Sequence, residues 1–307
     1  MTMTPMTTSS DQRGVRSHAA GAFDLATVAA AKAATGTTVS ACIPARDEDA
    51  TVGLVVTAIR NALVDGALAA HGVALVDEIV VVDDHSTDDT AAVARAAGAR
   101  VVDAASVLPH HGEGHGKGEA LWKSLHESTG DLVVWVDADI VDFDPDFIVA
   151  MVGALVCDPG VDFVKGHYHR PEADGVGGGR VTELLARPLL SLYFPELAEI
   201  AQPLAGEYAG RRTLLERLPF VVGYGVDVAL LIDAMRLAGI ERLAQVDLGV
   251  RHHRNRSLDE LGPQALAVGQ AILDRAGVRP PGTAVLHRPG REPLPVPMHQ
   301  RPPLDSL

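Results

Sequence analysis

Residues 133–145 read VVWVDADIVDFDP, an apolar run that ends in two closely spaced aspartates. The run is typical of a strand that is covered on both faces. Asp137 and Asp139 follow where this strand should end, and side chains two residues apart in an extended chain point to the same side. Paired carboxylates at a strand end suit Mg²⁺ or Mn²⁺. The alternative is a helix cap followed by a solvated acid.

The segments on either side of this stretch alternate between strand and helix patterns. Strand–helix alternation with short linkers predicts right-handed βαβ units, and therefore an α/β fold with a mainly parallel sheet. Ligands bind such a sheet beyond the carboxyl ends of its strands. Strands are expected in TTVSACI, DEIVVVDD, RVVDA, DLVVWVD and VDFVKGHY, and helices in residues 50–70, STDDTAAVARAAGA, GEALWKSLHEST and DPDFIVAMVGALVCD.

The composition indicates a folded protein with an acidic surface. The chain has 307 residues, of which 47% are hydrophobic, enough for a substantial core in one large or two small domains. Its net charge of −14 argues against sequence-independent binding of nucleic acid. Cys42 and Cys157 lie in apolar runs and are expected to be buried free thiols.

The two ends of the chain differ in composition from the middle. We expect a disordered arm over residues 1–22, a single domain over 23–277 and an extended, proline-rich tail over 278–307. The start is polar and resembles no secretory signal. No apolar run is expected to reach the roughly 18 to 20 residues that span a bilayer. A cytoplasmic protein that binds neither membrane nor nucleic acid is therefore predicted.

Two further motifs are predicted at the ligand-binding edge of the sheet. PARDE, from Pro44 to Glu48, follows the first strand and could hold a nucleobase and its ribose, or form a plain turn. Asp83 and Asp84 follow the second strand and could bind the nucleotide or cap a helix. Neither a G-x-G-x-x-G fingerprint nor a P-loop is present, which argues against a dinucleotide-binding domain.

Two glycine-rich loops each lead into a predicted helix with a cation at its start. In GEGHGKGEALW the cation is Lys117, which suits a phosphate or is simply solvated. In GVGGGRVTELLARP the first helical turn holds Arg180 and Thr182. An arginine at a helix N-terminus opposes the helix dipole unless an anion lies between them. This loop is therefore expected to bind an anion.

Two remaining motifs have functional and structural alternatives. RHHRNR, residues 251–256, concentrates basic side chains in an acidic chain and suggests an anion site or a solvated turn. One of its histidines could be a further metal ligand, or purely structural. Asp227 follows a Gly-Tyr-Gly turn, where an acid is also favoured by the helix dipole alone.

In combination these motifs resemble the glucosyl-3-phosphoglycerate synthases of actinobacteria and the related mannosyl-3-phosphoglycerate synthases. The resemblance covers residues 37–275 and rests on PARDE, DDHSTDDT, GKGEALW, DAD, GGGRVTEL, GEYA, GYGVD and RHHRNR, in this order. It implies a Rossmann-like GT-A glycosyltransferase fold, with a nucleotide-sugar half over residues 37–165 and a smaller acceptor half over 166–277. It also implies a homodimer.

The family's activity implies the substrates. A hexose would pass from a nucleotide diphosphate sugar, UDP-glucose being favoured, to the 2-hydroxyl of 3-phosphoglycerate with retention of configuration. Mg²⁺ or Mn²⁺ would be required. GDP-mannose as donor is the main alternative, followed by another GT-A transferase, a nucleotidyltransferase or a non-catalytic nucleotide-sugar sensor. A nucleotidyltransferase usually has a glycine-rich basic loop after its first strand, which PARDED does not match.

The resemblance also implies roles for individual residues. Donor binding is implied for Pro44, Ala45, Arg46, Asp47, Glu48, Asp84, Lys117, Asp137, Tyr224, Gly225, Val226 and Asp227. Acceptor binding is implied for Gly179, Arg180, Val181, Thr182 and Asn255. Metal binding is implied for Asp139 and His253, and catalytic roles for Asp227, Lys117 and Asp137.

The sequence departs from the family pattern at two places. Arg46 and Asp47 stand where the family usually has Leu-Asn, which bears on the choice of base. Asp227 stands where glucosyl enzymes have Glu, which is one methylene longer and bears on the choice of sugar. In a retaining enzyme Asp227 would orient the sugar, and in an inverting one it would be the general base.

Overall fold

The computed structural model describes residues 14–169, 171–172, 175–176, 179–250 and 257–307. Within these ranges every strand and helix expected between residues 37 and 169 is present. The strands are β1 (Arg16–His18), β2 (Val39–Ala45), β3 (Glu78–Asp83), β4 (Arg100–Asp103), β5 (Leu132–Trp135), β6 (Phe163–His169), β7 (Pro171–Glu172), β8 (Gly175–Val176), β9 (Tyr208–Arg211), β10 (Phe220–Val221), β11 (Leu243–Val250), β12 (Val285–Leu286), β13 (Leu294–Pro295) and β14 (Gln300–Arg301).

Helices connect these strands. The α-helices are α1 (Leu25–Thr35), α2 (Val52–Ile59), α3 (Ala67–His71), α4 (Thr90–Ala96), α5 (Lys117–Glu127), α6 (Asp146–Val156), α7 (Arg187–Tyr193), α8 (Arg212–Leu215), α9 (Val226–Ala238) and α10 (Leu258–Arg275). Wider π-helical turns occupy Arg60–Gly66, between α2 and α3, and Thr182–Ala186, before α7. Short 3₁₀ turns lie at Ala104–Ser106, Pro109–His111, Pro195–Leu197, Ile240–Arg242 and Leu304–Ser306.

The main sheet is mostly parallel, as predicted. Its strand order is β1-β11-β6-β9-β5-β2-β3-β4. Only β9 is antiparallel, and it lies between β5 and β6. The carboxyl ends of β2, β3, β5, β6 and β11 therefore share one edge with the amino end of β9. Tyr208, the first residue of β9, pairs with both Trp135 and Lys165.

Helices cover both faces of this sheet and form two hydrophobic cores. The first core joins α1, α2, α4 and α6 to one face, with Ala41 and Ile43 of β2 at its centre. The second joins α5, α9 and α10 to the other face, where Cys42 of the same strand points. Alternate residues of β2 thus enter opposite cores, which is why its sequence is apolar throughout.

The helical segment at residues 52–71 corrects the expectation that no apolar segment is long enough to span a bilayer. It has 20 residues and a mean hydropathy of 1.5, so by length and composition alone it is long and apolar enough to cross a membrane. In the fold its buried side chains pack in the first core, among them Val55, Ile59 and Leu63. This is how an amphipathic helix packs against a sheet.

The expectation for the start of the chain is wrong for residues 14–22. β1 lies there, at the edge of the sheet, and pairs in parallel with β11 from Arg16 to His18. Residues 1–13 are outside the described ranges. Cys42 is buried as expected, whereas Cys157 is exposed because it follows the last turn of α6.

The tail over residues 278–307 packs on the domain. β14 pairs with β10, and the Trp122 Nε1 donates a hydrogen bond to the carbonyl of Pro302 at 2.8 Å. Arg301 donates two hydrogen bonds to the fully buried carboxylate of Glu119, at 2.6 and 2.9 Å. The tail is therefore an integral part of the second core's outer layer.

Candidate active site

The two aspartates of the DAD motif lie at the carboxyl edge of the sheet, directly beyond β5. Asp137 is half-buried and Asp139 is exposed, while Ala138 between them is buried. Lys117 Nζ donates a hydrogen bond to Asp137 Oδ1 at 2.8 Å. Gly206 faces this pair so closely that a Cβ would lie 2.2 Å from Asp137 Oδ2. Only glycine therefore fits at this position.

Lys117 is the first residue of α5 and lies between two carboxylates. Its Nζ is 3.3 Å from Asp227 Oδ1 as well as bonded to Asp137. Burial alone would lower the pKa of Lys117, but the carboxylates of Asp137 and Asp227 together raise it above its usual value. Lys117 is therefore a cation at all working pH values, and the three predicted catalytic groups are in contact.

The loops that carry Lys117 and Asp227 touch each other through glycines. Gly116, with φ of 100°, packs so that a Cβ would lie 3.3 Å from Gly223 Cα. A Cβ on Gly118 would lie 1.8 Å from the carbonyl oxygen of Val221. This close approach of two backbones sets the position of Asp227 in the first turn of α9.

A second layer of charged side chains lies beneath these groups. Lys165 is buried in β6, and its Nζ donates to the carbonyl of Asp227 at 3.3 Å. The same Nζ lies 4.3 Å from the ring centroid of Tyr208. Burial lowers the pKa of Lys165 to about 8, although the nearby Asp227 opposes this shift. Burial, followed by Asp227, raises the pKa of Tyr208.

Sequence analysis assigned no role to Lys165 or to its neighbours Glu207 and Tyr208. Lys165 is the one cation in the apolar strand segment VDFVKGHY, and this is the signal that could have identified it. Glu207 and Tyr208 belong to the quoted motif GEYA, which carried the resemblance but no functional assignment.

The PARDE motif forms the end of β2 and the loop after it. Pro44 and Ala45 are in the strand, and Arg46 is exposed. Asp47 has a left-handed backbone with φ of 54°, and its Oδ1 accepts a hydrogen bond from the amide of Thr87 at 2.7 Å. The carboxylate at position 47 therefore holds two loops together.

Glu48 places a third carboxylate near the DAD motif. Its amide donates to Thr90 Oγ1 at 2.7 Å, and the side chain is half-buried. Burial, followed by the negative charges of Asp139, Asp88 and Asp137, raises the pKa of Glu48. The edge of the sheet thus concentrates negative charge, which is the environment that a divalent cation favours.

Asp84 is buried and joins the end of β3 to the loop before Lys117. Its Oδ2 accepts a hydrogen bond from the amide of Gly116 at 2.6 Å, and its Oδ1 lies 3.0 Å from His85 Nδ1. Of the other predicted donor residues, Tyr224 is exposed, Gly225 packs against α10 and Val226 is fully buried. Gly225 and Val226 therefore shape the loop through their backbone.

The predicted acceptor residues lie at the start of the helical segment that leads into α7. Arg180 is exposed, Thr182 is buried, and Gly179 and Val181 are half-buried. The remaining acceptor candidate, Asn255, and the metal candidate His253 lie outside the described residues. Whether they join the site stays a prediction.

Comparison with known proteins identifies the family. The model of glycosyl transferase family 2 matches residues 40–219. Glucosyl-3-phosphoglycerate synthase of Mycobacterium tuberculosis (strain ATCC 25618 / H37Rv) is 45% identical over 295 residues, covering 91% of this chain and 88% of the relative. The synthase of Mycolicibacterium paratuberculosis is 44% identical, with 93% and 88% covered.

Solved structures agree with this assignment. The crystal structure of the M. tuberculosis synthase in complex with phosphoglyceric acid superposes with a TM-score of 0.85 at 43% identity, covering 95% of this chain and 98% of that chain. The same enzyme in complex with Mn²⁺, UDP-glucose and phosphoglyceric acid gives a TM-score of 0.84 with the same coverage. This chain belongs to glycosyl transferase family 2, among the glucosyl-3-phosphoglycerate synthases.

Proposed function

We propose that this protein transfers glucose from UDP-glucose to the 2-hydroxyl of 3-phosphoglycerate, with retention at the anomeric carbon. The observation that carries the proposal is the meeting of Lys117, Asp137 and Asp227 beside Asp139 at the carboxyl edge of the sheet. Relatives with 43% identity bind Mn²⁺, UDP-glucose and phosphoglyceric acid together. Their similarity over most of the chain supports the same substrates here.

The residues present fit a divalent cation. Asp139 is exposed at the edge of β5, and it adds to the negative charge that raises the pKa of Glu48. Oxygen ligands of this kind suit Mg²⁺ or Mn²⁺. We propose Asp139 as a ligand, with His253 as the second. When bound, the ion stabilises negative charge on the departing diphosphate.

In this proposal Lys117 and Asp227 have different roles. Lys117 lies between Asp137 and Asp227 and balances their negative charge, so both carboxylates are held in position. Asp227 then accepts hydrogen bonds from sugar hydroxyls and orients the hexose. Its Oδ1 lies 3.3 Å from the Lys117 ammonium, and this contact fixes the carboxylate in position to act as a sugar contact.

A donor panel tests the proposed function. With Mg²⁺ and 3-phosphoglycerate, UDP-glucose is expected to release UDP faster than GDP-glucose or GDP-mannose releases GDP. The product is expected to be α-linked by proton NMR, because a retaining transfer preserves the configuration of the donor. Faster turnover of GDP-mannose would identify a mannosyltransferase instead. A β-linked product would make Asp227 the general base.

Arg180 supplies a test of the acceptor site. It is exposed in the first turn of a helical segment, where a cation is unfavourable unless an anion lies beside it. We propose that Arg180 and Thr182 bind the carboxylate or phosphate of 3-phosphoglycerate. A charge-assisted hydrogen bond contributes roughly 1.5 to 3 kcal/mol, so Arg180→Ala should raise the KM for 3-phosphoglycerate by about 10- to 150-fold.

The control for this variant is Arg95→Ala, which removes an exposed arginine from α4. It should leave unchanged both the KM for 3-phosphoglycerate and the Kd for UDP-glucose. Calorimetry with UDP-glucose alone should give the same Kd for Arg180→Ala as for the unaltered chain. If the donor Kd collapsed while the acceptor KM held, Arg180 would belong to the diphosphate site.

The homodimer and the cytoplasmic location stay predictions. Exposed apolar side chains on the helical segment before and within α7 support the homodimer: Leu184 is 79% exposed, Leu192 73% and Tyr193 43%. The two substrates are soluble anions, which supports a cytoplasmic location.

A further inference from the structure

A histidine pair lies outside the proposed catalytic cluster, on the loops that flank Asp84. His85 Nδ1 lies 3.2 Å from His115 Nδ1, and the ring centroids are 4.3 Å apart. Asp84 Oδ1 is 3.0 Å from the same His85 nitrogen. One oxygen and two nitrogens thus converge within 4.8 Å of one another.

Hydrogen bonds alone do not satisfy all three of these atoms at once. A neutral imidazole has one protonated nitrogen, and a carboxylate has only acceptors. If the proton is on His85 Nδ1, then Asp84 Oδ1 and His115 Nδ1 are two acceptors that share this single donor. If both Nδ1 atoms carried protons, they would oppose each other at 3.2 Å. A cation at the point of convergence would satisfy all three atoms at once.

Two of the three separations between the candidate ligand atoms match those around a tetrahedral ion. Zinc binds imidazole nitrogen at about 2.0 to 2.1 Å and carboxylate oxygen at about 2.0 to 2.2 Å. Two such ligands at a tetrahedral angle lie about 3.3 Å apart. The separations of 3.2 and 3.0 Å are close to this value, and the ligand atoms of Asp84 and His115 lie within 4.8 Å of each other.

Two features of the backbone hold the ligands in place. His85 has φ of 62°, a left-handed conformation that is unfavourable for a histidine and that directs its ring into the cluster. Asp84 is 3% exposed, and its second oxygen accepts the Gly116 amide at 2.6 Å. Such outer hydrogen bonds orient the ligands of metal sites.

We propose that Asp84, His85 and His115 form a second metal site, selective for Zn²⁺ or a similar nitrogen-preferring divalent ion over Mg²⁺. Two imidazoles with one carboxylate suit zinc, whereas Mg²⁺ prefers oxygen ligands throughout. Three protein ligands leave the fourth position open to water. A bound ion would join the end of β3 to the loop directly before Lys117, and so restrict that loop.

Zinc binding measured in excess Mg²⁺ tests this site. Metal-free protein is titrated with Zn²⁺ by calorimetry, alongside His115→Gln and His85→Asn, because asparagine tolerates the left-handed backbone at position 85. Loss of outer hydrogen bonds alone weakens metal sites by 10- to 100-fold. Each ligand variant should therefore weaken this binding by at least about 100-fold. His110→Gln, five residues before His115, and Asp139→Ala should keep it.

Thermal unfolding supplies an independent readout. Zn²⁺ at a hundredfold excess over its Kd should raise the Tm of the unaltered chain by about 5 °C, and the Tm of His115→Gln and His85→Asn should not respond. Turnover of UDP-glucose with Mg²⁺ alone identifies the histidine variants that are folded, and the Tm without Zn²⁺ does so for Asp139→Ala. Equal zinc affinity and equal Tm response in the unaltered chain and in both folded ligand variants would overturn the proposal.

Discussion

Glucose transfer is expected to stop when EDTA removes the divalent ion, and to return when Mg²⁺ or Mn²⁺ is restored. Asp139→Ala should lower kcat at least about 10³-fold, because the charge on the departing diphosphate loses several kcal/mol of stabilisation. The effect should be confined to catalysis. Asp139 is exposed, and substitutions of exposed residues usually change stability little. The measurements are UDP release with varied metal concentration and the Tm of each variant.

A matched control comes from the same loop. Asp142→Asn changes another exposed acid three residues further along and should keep both kcat and the metal dependence. Asp139→Ala should have the same Tm as the unaltered chain within about 1 °C, since exposed substitutions rarely change stability. Full activity of Asp139→Ala in the presence of EDTA would show that this residue holds no catalytic metal.

Lys117→Met is expected to cause the second large loss, in both activity and stability. The side chain of Lys117 is 16% exposed, and those of Asp137 and Asp227 are 26% and 10% exposed. Removing the ammonium leaves two carboxylates facing each other in a poorly solvated place. Breaking a buried ion pair costs roughly 3 to 5 kcal/mol. Transfer should fall at least about 100-fold because Asp137 and Asp227 no longer hold their positions.

Two comparison variants separate catalysis from folding. Lys32→Met breaks another ion pair, in which the buried Lys32 Nζ lies 3.0 Å from Oδ2 of the exposed Asp77, before β3 at the opposite edge of the sheet. It should lower stability while kcat per folded molecule holds. Lys117→Met/Asp137→Asn removes one excess charge and should recover part of the stability without recovering activity. Equal kcat for Lys117→Met and Lys32→Met would show that Lys117 is only structural.

The sequence by itself determined the fold class and most positions at the edge of the sheet. Alternation between continuous apolar runs and helical patterns is a local property, so it predicted β2 to β6 and the helices between them. The end of each strand is equally local, which placed Asp137 and Asp139 beyond β5. Glycine loops at helix starts marked Lys117 and Asp227 as candidates, the family resemblance implied their roles, and the structure brings both to Asp137.

The tertiary structure decided which charges are paired and which segments are packed. Lys165 is a single lysine in an apolar strand, and only the insertion of antiparallel β9 places Tyr208 beside it. Burial in the folded chain lowers the pKa of Lys165 to about 8. β1 forms because β11 offers it an edge, although its own sequence has no strand pattern.

The tail makes a contact that local sequence patterns could not predict. The Arg301 guanidinium binds the carboxylate of Glu119, which is 182 positions earlier in the sequence. Glu119 itself lies two residues after Lys117. No pattern within a few residues of either side chain encodes this contact. A strand or helix repeats every two or 3.6 residues and is visible locally, whereas an ion pair between distant segments depends on how the whole chain closes on itself. The sequence therefore indicated where the chemistry lies, and only the folded chain determined what holds it in place.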